Sequence, residues 1–137
     1  MKYQNIFRKC TFPIFLLWLL STVGTMPAFA GDCAIADPAK EDSWKACEGK
    51  TVKVTGPRAA MDDVPPGYTE ADPSFAGGKG FQDYMTFDED TSYVILRTTT
   101  SVDCADEMEV EGTLKYQDIK GEKEKARVIE VTKFACK

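Results

Sequence analysis

Apolar and polar residues alternate with a period of two over most of the chain beyond residue 50. Met108, Val110 and Leu114 are interleaved with Glu109, Glu111 and Thr113. After a polar segment around Gly121, a second run over 126–134 reads Ala-Arg-Val-Ile-Glu-Val-Thr-Lys-Phe. A period of two sends one side of each run into a core and the other into water, so the pattern predicts strand, turn, strand. The same reading gives a strand over 50–58, where Val52 and Val54 share a side before Gly56-Pro57, and another over 81–88, where Phe81, Met85 and Phe87 share a side. The acidic turn Asp88-Glu89-Asp90 leads into a strand over 92–99, whose Val94-Ile95-Leu96 core is apolar on consecutive positions. Such a run predicts a strand covered on both faces or closing a barrel. With strands over 107–116 and 126–135 the count is five, and the fold class is mainly β.

Between 59 and 80 the alternation stops. Asp62-Asp63, Pro65-Pro66-Gly67, Asp72-Pro73 and Gly77-Gly78-Lys79-Gly80 sustain neither helix nor strand. Loops longer than about 12 to 15 residues are uncommon in compact domains and tend to be functional or disordered, so this is the first place to look for binding; a tolerated surface insertion is the alternative. Its Pro and Gly content predicts little contribution to the core, and shortening it is expected to cost little stability. Ahead of the strands, Asp37-Pro38 followed by Glu41 and Asp42 and closed by Gly49 reads as an N-capped helix of about three turns, with Trp44 and Cys47 on one face and Trp44 as a core plug.

The first 30 residues form a different unit. Lys2, Arg8 and Lys9 precede an apolar run rich in Leu and Phe, and Ala28-Phe29-Ala30 supplies small residues for cleavage, so residues 1–30 read as a signal peptide and the mature chain begins at Gly31. Gly24 and Pro27 interrupt the run, which argues against an uncleaved anchor of the about 20 residues a span requires. The organisation is then a leader at 1–30, an arm and short helix at 31–49, and one β domain at 50–137. The leader holds three basic residues and no acid, so the net charge of −5 becomes −8 without it. So acidic a chain gains little phosphate-neutralising affinity, which disfavours nucleic acid and favours a protein, peptide, small-molecule or cationic partner. An even set of four cysteines in an exported chain, Cys33, Cys47, Cys104 and Cys136, predicts two disulfides with three connectivities. The chain has no histidine and these cysteines form no C-x-x-C pair, so no metal or cofactor is expected. Periplasmic or secreted localisation follows.

In strand count, in the placement of the long loop and in the Val110-Glu111-Gly112-Thr113-Leu114 fourth strand, residues 50–136 resemble the small exported bacterial OB-fold proteins. The segment 100–107 is too short for the helix such folds carry between strands three and four, which keeps an immunoglobulin-like or lipocalin-like domain as second choice. The resemblance implies a five-stranded OB-like Greek-key barrel with strands three and five parallel. Their ends would meet at one rim, pairing Cys104 with Cys136 and leaving Cys33 for Cys47. It also implies a ligand face on strands two and three with the loop 60–80, bearing Tyr68, Phe75, Gln82, Tyr84 and Arg97. A nuclease built on this fold needs clustered carboxylates and two arginines, and Arg58, Arg97 and Arg127 are not set among carboxylates in that way. A non-catalytic binding module is therefore the first expectation. A structural or stress-protective envelope protein and, last, a metal-dependent hydrolase are the alternatives.

Overall fold

The computed structural model describes residues 32–70, 72–88 and 92–137. The expected leader, and Glu89 and Asp90 of the acidic turn, lie outside the described residues. Six strands form one sheet: β1 Asp32–Ala34, β2 Thr51–Pro57, β3 Phe81–Phe87, β4 Ser92–Thr98, β5 Glu107–Gln117 and β6 Ala126–Cys136, in the order β1-β2-β5-β6-β4-β3. β1 lies parallel to β2 and β4 parallel to β6, while the β2–β5, β5–β6 and β3–β4 pairs are antiparallel. One register shift interrupts the β5–β6 ladder at Glu111/Gly112, where the Gly112 backbone passes so close to Glu130 that a Cβ would stand 2.2 Å from its carbonyl oxygen.

The sheet carries a core on each face. The larger contains Val52, Val54, Met85, Val94, Leu96, Met108, Val110, Leu114 and Ile129, with Trp44 and Cys47 plugging it. The smaller contains Ala59, Val64, Tyr84, Ile95, Ala126 and Val128. Consecutive residues of β4 thus serve opposite cores, Val94 and Leu96 one and Ile95 the other, which is why its apolar positions do not alternate.

Several expectations need correction. The sheet has six strands and is open rather than a closed five-stranded barrel. β2 and β3 meet through the single bridge Arg58–Met85 and the Ala59 amide donating to the Tyr84 carbonyl at 3.0 Å. Side chains fill the seam instead: the Phe87 ring lies where a Gly56 Cβ would come within 2.6 Å of it. The sixth strand, β1, has no signature in the sequence, because three residues are too few to show a period. The expected three-turn helix is only α1, Glu41–Lys45. Asp37 accepts from the Ala39 amide at 3.1 Å, and its carbonyl accepts from the Lys40 amide at 3.0 Å, so Pro38 and Ala39 form a turn and not a first helical turn. At the other end Cys47 is bonded to Cys33, and Gly49 leaves in the left-handed region at φ 77°. Phe81, the first residue of β3, is 48% exposed and does not join the core of Met85.

The disulfides join Cys33 to Cys47 and Cys104 to Cys136, the pairs expected above, with Cα separations of 5.5 and 5.0 Å. Among the described residues no helix is long and apolar enough to cross a membrane.

Candidate functional site

β3 and β4 turn Gln82, Tyr84, Tyr93, Ile95 and Arg97 to the face of the smaller core, where the sequence placed a free ligand surface. That face is covered. The described residues of 59–80, namely 59–70 and 72–80, lie across it as a strap, and Ala59, Val64 and Tyr68 pack on Tyr84, Ile95 and Val128. The strap is therefore not the core-free loop that its Pro and Gly content implied; its three packing residues are scattered among turn formers and show no period.

Polar contacts fix the strap to the strands. The Gln82 side-chain amide donates to the Tyr68 carbonyl at 2.8 Å and to the Tyr84 hydroxyl at 2.7 Å, and that hydroxyl donates to the same Tyr68 carbonyl at 3.1 Å. The Tyr68 ring meets Tyr93 edge-on with centroids 6.5 Å apart. Burial raises the hydroxyl pKa of both Tyr68 and Tyr84 above the usual tyrosine value. Farther along, Asp72 pairs with Arg97 at 3.0 Å and accepts from the Ser74 hydroxyl and amide. The Ser74 hydroxyl bond is the chief reason the Asp72 carboxyl lies below its ordinary value. Arg97 also donates to the Gln117 side-chain oxygen at 2.5 Å.

Of the five residues expected on an open face, the fold gathers four. Tyr68 and Gln82 are half-buried, and Tyr84 and Arg97 are 1% and 5% exposed, so none is the free surface group expected. Phe75 is spent on the strap itself, its ring seated against Gly80 where a Cβ would come within 2.2 Å. Sequence reasoning missed Asp72 and Gln117 as the partners of Arg97, since both lie far from it along the chain. It also missed the bidentate grip of Arg58 on Asp83, at 3.0 and 2.8 Å.

A recess of about 460 Å³ opens between α1 and the β5–β6 turn and is lined by Glu41, Lys45, Glu48, Tyr116, Glu124 and Lys125. The Tyr116 hydroxyl donates to Glu41 at 2.9 Å, and burial followed by that carboxylate raises its pKa. Behind them Arg127 lies 5.0 Å over the Trp44 ring and bonds the Ser92 hydroxyl. The lining charges are of both signs, and Arg127 pairs with Glu41 at 3.6 Å, which suits a plug for the end of the core. Among the described residues no group of three or more metal-ligating side chains comes together. No family model, characterised protein or solved structure matches the chain.

Proposed function

We propose that this is an exported, non-catalytic binding module of the cell envelope, related in architecture to the small OB-fold proteins, with its ligand face on the outer side of β3 and β4. The likeness is supported by the order of the five long strands, β2-β5-β6-β4-β3, and by the parallel β4–β6 pair. Export is supported by the two disulfides together with the leader-like first 30 residues.

One observation carries the binding reading: the recognition groups of the face already hold a polypeptide. Gln82 and Tyr84 converge on a backbone carbonyl of the strap, and Arg97 takes one of its carboxylates. Groups that recognise carbonyls and a carboxylate of a polypeptide segment suit a peptide or protein ligand better than a base or a phosphate chain, and the acidic balance points the same way. The test is a photo-crosslinking residue placed at Lys79, on the strap, or at Lys133, on β6, in cells exporting the protein. Adducts confined to Lys79 are expected. Adducts at Lys133 as well, or none at Lys79, would overturn the assignment.

A further inference from the structure

We propose that Arg97 is a carboxylate-binding group that the strap only half fills in the free protein, with Asp72 as its internal competitor. The inference rests on the reading of β3–β4 as the ligand face and adds to it the chemistry of the ligand.

The contrast is with another arginine of the same chain. Arg58 presents Nε and Nη2 side by side to Asp83 at 3.0 and 2.8 Å and sends Nη1 to the Cys104 carbonyl at 2.9 Å, so every edge of its guanidinium is used. Arg97 is more deeply enclosed, its side chain 7% exposed, and is served less well. Its Nη1 meets Asp72 at 3.0 Å, its Nη2 meets the neutral oxygen of Gln117, and its Nε is buried with no hydrogen-bond partner. The edge left half empty is the Nε/Nη2 fork, the geometry by which guanidinium takes a planar carboxylate with two parallel bonds. An enclosed, unpaired donor of a charged group is unfavourable and rare in native proteins, so a group that completes the fork is stabilised there.

The approach lies through the two groups that cover it. Asp72 and Gln117 both line a recess of about 220 Å³ between the strap and the segment leading out of β5, with Glu70, Asp118 and Lys120 also on its walls and Arg97 enclosed behind them. A carboxylate entering there takes Nε and Nη2, the Gln117 amide swings aside, and Asp72 is left facing a second anion on one guanidinium. Like charges at that distance repel, so binding loosens the strap at Asp72, and Asp72 in turn weakens binding. The negative charge of the whole chain, and of Glu70 and Asp118 at the recess itself, opposes the approach of an acidic ligand but does not alter the fork.

The experiment follows the Arg97 Nε–H resonance by NMR in the mature protein. Acetate is titrated against chloride at constant ionic strength, and a blocked Gly-Asp-Gly peptide against its Gly-Asn-Gly counterpart. Saturable shifts with acetate and with the Asp peptide are expected, at least tenfold tighter in Asp72→Asn and absent in Asp72→Asn/Arg97→Met when followed through the Tyr84 amide. Response to acetate alone would assign the site to small acids, and response to both extends it to acidic peptide. Should Asp72→Asn not fold cooperatively, Gln117→Ala carries the test, because it opens the fork and keeps the ion pair; it too should bind acetate more tightly than the parent. No saturable shift in a folded variant, or an equal response without Arg97, overturns the proposal. A partner still crosslinked at Lys79 in a protein that ignores carboxylates would remove this assignment and leave the binding face standing.

Discussion

Two residues, one without a side chain and one with a hydroxyl, show how narrowly single positions are set. At Gly112 the ladder between β5 and β6 shifts register, and a Cβ would stand 2.2 Å from the Glu130 carbonyl oxygen, a backbone atom that cannot rotate away. Gly112→Ala should therefore destabilise by about 1 to 3 kcal/mol in urea unfolding, the range typical of overpacking; an unchanged midpoint would show that the ladder yields. Tyr116 behaves differently because its effect depends on pH. Its folded pKa is raised above the ordinary 10.0 by burial and then by Glu41, so the native state holds the phenolic proton where the unfolded chain has released it. Stability from this group is complete below pH 10.0 and is lost as pH climbs beyond it toward the folded value. Tyr68 and Tyr84, also raised by burial, add to the same slope. Melting temperature should fall above that pH, and Tyr116→Phe should fall less steeply than the parent; parallel curves would refute the role of Tyr116.

Among the elements, the strap is the one whose behaviour the fold reverses. Replacing residues 60–80 with a short Gly-Ser turn would alter closure entropy by only about 0.6 kcal/mol per halving of length, and in the stabilising direction. It would also strip Val64 and Tyr68 from Tyr84 and Ile95. Loss of packing on that scale costs about 2 to 5 kcal/mol, so urea unfolding should show a clear net loss. A variant that melts like its parent would mean the smaller core is not a core. This element also marks where the sequence was legible. The five long strands were readable nearly to the residue, because a period of two and the turn residues between the runs both depend on local order. Even the double coverage of β4 could be read from its unbroken apolar run. What covered its second face could not, since Val64 and Tyr68 sit singly among prolines and glycines and their burial is decided by tertiary packing. For the same reason Arg97 was recognisable as a notable residue while its partners were not: Asp72 and Gln117 reach it from separate segments.

At the level of the whole molecule, the two disulfides hold parts that differ in how much else secures them. Cys104–Cys136 spans 32 residues and ties the exit of β4 to the end of β6, whose strands are already paired to each other and, on the far side of each, to β3 and β5. Cys33–Cys47 spans 14 residues and ties α1 to β1, a strand of three residues that pairs only with β2. By loop entropy alone the longer closure contributes about 4 kcal/mol and the shorter about 3, so Cys104→Ala/Cys136→Ala should lower global stability slightly more. Local stability should follow the opposite order, because few hydrogen bonds remain to hold β1 once its tether is cut. Hydrogen exchange on Cys33→Ala/Cys47→Ala is therefore expected to release the amides of β1 and α1 while the β4–β6 ladder stays protected at nearly the parental level. Trp44, the only tryptophan beyond residue 30, reports the same event through its fluorescence, since it plugs the larger core from α1 and is fully buried in the intact fold. Uniform loss of protection across all six strands would show that the N-terminal arm is part of the cooperative core and not a plug seated upon it.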